Sequence, residues 1–594
     1  MHKKSPKTRT RFTKTFVCLL CLFVAVMGQT PTETLPKNEA PLPPATGAHE
    51  MTAADVEAFL DGLVPLQIKQ ADIAGATIAV VKDGKLLFAK GYGYADVEKQ
   101  KPVSAQETLF RPGSISKLFT WTAIMQLYEQ GKLDLDRDVN DYLDYKIPDA
   151  FGKPITLKNI MTHTPGFEEQ VKDLFRTDST KLNLGEYLKT HIPARIYPPG
   201  TVPAYSNYAT AVAGYIVERV SGRPFDQYIA ENIFKPLNMT RSTFTQPLPA
   251  DLVPLMSNGY RLGSDKPELF EVVNPFPAGS LSSSATDMAQ FMMAHLDDGQ
   301  LGSAQILRPE TARLMHSRLF GLDDRTNAMC YGFYEESRNG HRIIGHGGDT
   351  VYFHSDLHLV LDQKLGFFVS YNSAGRGDSP GRTNLWQAFL DRYYPYTETP
   401  ATSATGKDDA QAAAGTYVLS RKSESSFLKT ASIVSQFNVA PTGDGDIEVP
   451  QLTGTNGKPK RWQAIGPMTF LERGGQDKLV FKPDQNGRMQ LILPYPFFVG
   501  QRVGTVENGK LLLTVLGISL GLMLLTLILW PVAWFVRRRY SHKLELTSSE
   551  LLLRIGVRLV FLLDLIFIAA LFGLQCTALL ISRSSATAAR AGFA

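Results

Sequence analysis

Arg111-Pro112-Gly113-Ser114-Ile115-Ser116-Lys117-Leu118-Phe119 is the stretch on which the reading turns. It opens an apolar run that ends at Gly131, a residue suited to a helix C-terminus. Ile115, Leu118, Phe119, Ile124 and Leu127 are spaced as in a largely buried helix. At the start of such a helix, Ser114 and Lys117 lie nearly one turn apart on one face. A serine hydroxyl is a weak nucleophile until a base takes its proton, and a desolvated lysine among cations can do so. The Ser114 N–H would supply half of an oxyanion hole. Alone, the four-residue pattern is common, and a serine capping a buried helix fits it equally well.

Working outward, strands lie at both ends of a helical middle. Thr77–Val81 and Leu86–Ala89 read as a hairpin turning at Asp83-Gly84, after an amphipathic helix capped by Thr52. Residues 205–237 read as two helices broken at Ser221-Gly222, and 282–299 as a capped helix stopping at Gly299. Strand patterns return at 330–337 and 341–348. A hairpin at 357–372 turns at Asp362-Gln363-Lys364, and a helix at 383–394 closes the unit. The fold class is therefore α+β: an antiparallel sheet made by both ends and flanked by helices, with a mostly helical insert and a cleft where they meet. This unit spans 51–397. A linker at 398–410 leads to a small all-β domain at 411–505, whose short strands are separated by Gly, Asp and Asn turns.

The net charge of +5 is unevenly placed. Six Lys/Arg and no acid precede the apolar run 15–28, which is followed by a Pro-rich linker at 29–50. This is the pattern of a secretory signal peptide at 1–28. Residues 511–536 are 26 uncharged residues, more than the ~20 a bilayer requires, with Trp530 and Trp534 near the far end. A second apolar run, 559–581, contains Asp564. The basic loop 537–558 between them is expected in the cytoplasm, and 582–594 is a tail. Both ends then give one topology, with the 51–397 unit outside the inner (cytoplasmic) membrane, on the periplasmic side. Residues 29–510 carry about −6, which offers no basic surface to nucleic acid. The expected partners are a small substrate and, through two C-terminal helices, membrane lipid. Only Cys330 falls in the exported part, so neither a disulfide nor a zinc site is indicated there.

Two further motifs bear on Ser114. Tyr205-Ser206-Asn207 stands at a helix entry and could bring a phenol and an amide to the cleft, or supply a core tyrosine and a cap. His346-Gly347-Gly348 follows a strand, and its glycines permit close backbone approach. Together with Ser114 and Lys117, in this order, these residues resemble the serine β-lactamase and penicillin-binding protein superfamily, nearest its class C-like branch. MTHTPG (161–166) and PAGSLSSSATDMAQF (277–291) resemble two further segments of that family.

The resemblance implies a β-lactamase/transpeptidase-like fold over about 52–395 and an acyl-enzyme on Ser114. It assigns the proton shuttle to Lys117 and Tyr205, and substrate binding to Asn207, His346 and Gly348. The N–H groups of Ser114 and Asp349 would form the oxyanion hole, with His163 and Asp287 structural. No cofactor or metal is implied. The chain departs from the family's Lys-Thr-Gly at His346-Gly347-Gly348. Histidine is mostly neutral near pH 7, so the substrate carboxylate loses a fixed cation. That favours a peptidase, amidase or esterase acting on D-amino-acid peptides, cell-wall-like peptides or small esters. A genuine class C-like β-lactamase and a non-catalytic binding or sensor protein remain the alternatives.

Overall fold

The computed structural model describes residues 47–178, 182–376, 381–396, 402–454 and 457–582. The expected signal peptide, most of the Pro-rich linker and nearly all of the tail lie outside the described residues.

Strand β1 (Gly75–Lys82) is buried at every position but Lys82, which suits a central strand covered on both faces. The sheet order is β4 (Tyr334–Glu335), β5 (Ile343–Asp349), β6 (His354–Val360), β7 (Leu365–Tyr371), β1, β2 (Lys85–Asp96) and β3 (Lys101–Pro102), with antiparallel neighbours throughout. The two chain ends thus meet where β1 pairs with β7, in the register Ile78↔Val369. Alternation sorts the side chains. Ala76, Ile78, Val80, Phe367 and Val369 share a core with Leu60 and Val64 of α1 (Ala53–Gln70) and Leu385 and Phe389 of α5 (Gly381–Tyr393). Ala79, Val81 and Phe368 face the larger core with α2 (Ser116–Glu129), α3 (Asn207–Ser221) and α4 (Ala285–Leu296).

Local chemistry sets the helix ends. Thr52 caps α1, its Oγ1 accepting from Asp55 N at 3.2 Å, and Ser284 caps α4 in the same way through Asp287 N. Helix α3 stops at Gly222, which has φ 70°. The strand expected over 330–337 shrinks to Tyr334–Glu335, because the chain turns over 330–333, with Cys330 N donating to Phe333 O at 2.8 Å and Gly332 at φ +99°.

The expected all-β domain is a closed barrel of eight strands: β8 (Gly415–Leu419), β9 (Phe437–Pro441), β10 (Ile447–Thr453), β11 (Pro459–Gly466), β12 (Thr469–Glu472), β13 (Lys478–Pro483), β14 (Met489–Ile492) and β15 (Val499–Arg502). Pairing of β8 with β15 closes it and removes the sheet edges. Tyr417, Phe437, Trp462, Phe470 and Phe481 belong to its core. Part of the stretch read as a linker is helical. Gly406–Ala413 forms a helix whose Ala410 and Ala413 join the barrel core.

Helix α6 (Gly509–Arg539), with mean hydropathy 2.6, is long and apolar enough to cross a membrane. Helix α7 (Ser548–Ser582) follows, and its Arg558 guanidinium stands 4.6 Å over the Trp530 ring of α6. Two spans were expected. Among the described residues only α6 meets the criterion of length and apolarity, and α7 carries Glu550, Arg554, Arg558 and Asp564 in its N-terminal half.

Candidate active site

Ser114 sits not in α2 but in a 3-10 turn, Gly113–Ile115, that leads into it. The turn starts from Gly113 at φ +55°, a conformation other residues rarely adopt. Ser116 locks it, donating to Gly113 O at 2.5 Å and accepting from Leu281 N at 3.1 Å. Lys117 follows in the first turn of α2, fully buried. Its Nζ lies 2.9 Å from Ser114 Oγ, 2.8 Å from Asn207 Oδ1 and 2.8 Å from Ala278 O. Burial, aided by the Arg421 guanidinium and opposed by Glu169, holds the Lys117 ammonium well below the usual lysine range.

Asn207 is the first residue of α3, which Ser206 caps by accepting from Ala209 N at 3.2 Å. Two residues earlier, Tyr205 lies with its ring 4.8 Å from Lys117 Nζ, and its hydroxyl interacts with Ser114. Burial holds the Tyr205 phenol above its ordinary value. The His163 ring lies 4.2 Å from that of Tyr205, tilted by 40°, and its Nδ1 accepts from Ser206 N at 3.3 Å. Asp287 binds Arg241 N and Ser242 away from this cluster.

Strand β5 brings its backbone against the serine turn. A Cβ on Gly348 would lie 1.9 Å from Pro112 O and 2.8 Å from Ser114 N, and one on Gly113 would lie 2.6 Å from Asp349 N. Strand alternation turns His346 toward Tyr205, with ring centroids 6.2 Å apart. It turns the Asp349 carboxylate to the other face, where Arg382 and His354 hold it at 3.0 and 2.6 Å. His346 is buried and its Nδ1 lies 2.6 Å from Gly347 O. Burial, then Lys117, lowers His346 to about 3, so it is neutral near pH 7. Burial alone would raise Asp349, but Arg382 and then His354 bring it to about 2.

Several residues at the site carried no signal in the sequence. Arg421 comes from the barrel, just beyond β8. Its guanidinium lies 5.0 Å over the Tyr205 ring and pairs with Glu169. Phe497, also of the barrel, packs 5.5 Å from Tyr205 and 4.9 Å from Tyr334. The Tyr334 hydroxyl accepts from Gly347 N at 2.5 Å. Ala278 falls in the 277–291 segment that the sequence marked, but nothing there singled out its carbonyl. Glu169 also lines a cavity of about 760 Å³ whose wall includes Phe427 and Leu428, beside the serine cluster rather than over it. No group of His, Cys, Asp and Glu side chains among the described residues is arranged to hold a metal ion.

Residues 52–390 match the family model described as Beta-lactamase. Relatives include the putative penicillin-binding protein PbpX of Bacillus subtilis, 33% identical over 40% of this chain, and protein flp of Staphylococcus aureus (strain N315), 26% identical over 54% of this chain. The chain spans 58% and 63% of the lengths of these two relatives. In fold it is similar to the octameric penicillin-binding protein homologue from Pyrococcus abyssi, with a TM-score of 0.50 and 23% identity over 76% of this chain and 100% of that one. It is also similar to SurE, with a TM-score of 0.52 and 20% identity over 76% of this chain and 99% of that one. The family match covers more than half of the sequence and contains the Ser114–Lys117–Asn207 cluster, so the chain belongs to the β-lactamase family, in its class C and penicillin-binding-protein-like superfamily.

Proposed function

We propose that the protein is a membrane-anchored serine hydrolase that cleaves amide or ester substrates through an acyl-enzyme on Ser114, outside the cytoplasm. The observation that carries this reading is the set of partners around Lys117. A neutral amine has two N–H bonds and one lone pair. The Asn207 and Ala278 carbonyl oxygens take the two N–H bonds, and the lone pair is left for the Ser114 hydroxyl at 2.9 Å. Lys117 then accepts the serine proton as Oγ attacks the carbonyl carbon. Tyr205, kept protonated by burial, hands a proton to the leaving group and recovers one from Lys117. The Ser114 and Asp349 N–H groups, set side by side by Gly113 and Gly348, receive the charge on the carbonyl oxygen. Water attacks the ester in the second half by the same proton path in reverse.

The residue beside Tyr205 bears on the substrate class. His346 is neutral and buried, so it offers no cation where the superfamily often has a lysine. D-amino-acid peptides, cell-wall-like peptides and small esters are the proposed substrates, and esters without a carboxylate fit the missing cation best. Anchoring is through α6, the one helix among the described residues that is long and apolar enough to cross a membrane, with the basic residues Arg537, Arg538 and Arg539 at its cytoplasmic end.

An active-site serine probe applied to wild type and Ser114→Ala tests the reading. Labelling of wild type only is expected. Equal labelling of both would leave a binding protein without acyl-enzyme chemistry. A panel of D-Ala-D-Ala peptides, short p-nitrophenyl esters and nitrocefin then identifies the substrate, and rapid turnover of nitrocefin alone would assign a β-lactamase instead.

A further inference from the structure

Where α6 leaves the barrel, three apolar side chains are uncovered by protein. Phe427 is 64%, Val434 71% and Val506 80% exposed. Phe427 and Val434 bracket one short helical segment, a 3-10 turn Phe427–Thr430 running into Ala431–Val434. Val506 is the middle residue of the turn Thr505–Glu507 that precedes α6.

The two segments meet at the root of α6. Gln436 Nε2 donates to Glu507 O at 2.8 Å, and Gln436 Oε1 accepts from Gly509 N at 2.7 Å. A Cβ on Gly509 would sit 2.1 Å from Ile433 O, so the 431–434 segment lies directly against the first turn of α6. Asn508 caps the helix through Leu511 N and ties it to β8 through Thr416 Oγ1 at 3.0 Å. The barrel and the helix are therefore joined without a slack linker.

Length fixes the level at which this junction sits. The apolar residues 511–536 extend about 39 Å at 1.5 Å each. That exceeds a hydrocarbon core of about 30 Å but fits within the ~40–45 Å that includes the headgroups. With Arg537, Arg538 and Arg539 at one surface, the first turns of α6 lie among the headgroups of the other. The short segments fastened to those turns lie there too. Exposed apolar side chains held at this level are costly in water and stable at the headgroup–acyl boundary.

We infer that Phe427, Val434 and Val506 form a membrane-contacting surface of the barrel, inserted into the leaflet that α6 enters, which holds the hydrolase unit in one attitude on the bilayer. The inference rests on the reading of α6 as a membrane span. The same stretch of chain reaches the candidate site. Arg421 stands six residues before Phe427, and Phe427 lines the cavity shared with Glu169. That cavity therefore lies beside the lipid surface, and the enzyme would take substrates presented there.

The test uses the full chain with Cys18, Cys21 and Cys576 replaced by serine and the buried Cys330 retained. It is reconstituted in vesicles of phosphatidylethanolamine and phosphatidylglycerol. Phe427→Cys, Val434→Cys and Val506→Cys each carry a nitrobenzoxadiazole label. Ile518→Cys within α6 and Leu269→Cys on an exposed loop of the hydrolase unit serve as references. The three test labels are expected to shift to the blue and to be quenched by a lipid-borne quencher, as the Ile518 label is, while the Leu269 label is not. Quenching at Ile518 with water-like emission at all three test positions overturns the contact surface and leaves the span intact. Water-like emission at Ile518 overturns the span itself. Quenching at Leu269 as strongly as at the three positions marks non-specific adsorption and also overturns the proposal.

Discussion

Lys117 illustrates how a residue acquires chemistry from its surroundings. In water it is a cation. Here it is buried with only neutral hydrogen-bond partners, which penalises the ammonium and holds it well below the usual lysine range. Lys117→Met should slow acylation of Ser114 by about 10²–10⁴-fold, the usual contribution of a positioned general base, as read from the rate of probe labelling. It should also leave Asn207 and Ala278 short of a donor, at a cost of about 1–3 kcal/mol in denaturant unfolding. Arg421 supports the same ionisation from the barrel. Lys117 is active when neutral, and its neutral fraction rises as pH climbs through its folded pKa. Arg421→Gln removes a cation that depresses that pKa and leaves Glu169, which raises it. The acid limb of kcat/KM against pH should therefore move to higher pH. The Ser114–Lys117 pair was legible in the sequence because one helical turn relates the two residues. Arg421 was not, because nothing local to it marks its proximity to Tyr205.

At the scale of elements, the site depends on β5 lying against the serine turn with no side chain between them. Gly348→Ala would drive a Cβ into Pro112 O, at 1.9 Å, where neither backbone can yield easily. Overpacking of this kind costs about 1–3 kcal/mol, and the shift should also abolish serine labelling. On the opposite face of β5, Arg382 of α5 binds Gly348 O at 3.1 Å, Asp349 and Asp356. Arg382→Leu strands the buried Asp356 carboxylate and leaves the half-buried Asp349 with His354 alone, which should cost about 3–5 kcal/mol in urea unfolding at neutral pH. The sign with pH follows from Asp349, whose folded pKa of about 2 lies below its ordinary 3.8. Its contribution is complete above the ordinary value and is lost as pH falls toward the folded one, so wild type should lose more stability over that range than the Arg382 variant. The central strands could be read from apolar runs and alternation. The extent of β4 could not: the pattern marked a strand over 330–337, but the two-residue pairing at Tyr334–Glu335 is set by its neighbour rather than by its own pattern.

At the scale of the molecule, the barrel is part of the candidate site's wall. Ala204 bridges to Phe498, Ser420 Oγ donates to Pro203 O at 2.5 Å, and Val202 and Ala204 share a core with Val480, Ile492 and Val499. All of this flanks Tyr205. Phe497→Ala should therefore reduce kcat by loosening Tyr205. Its cost in stability should stay below the about 3–5 kcal/mol of a fully buried phenylalanine, because Phe497 is only half-buried. Steady-state kinetics beside a thermal melt separates the two effects. By itself the sequence determined what is local or periodic: the central strands and main helices of the β-lactamase-like unit, the serine–lysine turn, the apolar helix and the all-β character of the barrel. Those features depend on residues within a turn or two of one another, or on alternation along one strand. Only the tertiary structure decided that the barrel closes, that it stands over Tyr205, and that Arg421 and Glu169 set the charge around Lys117. Such contacts arise when distant surfaces bury each other, and complementarity between surfaces leaves no period in a chain.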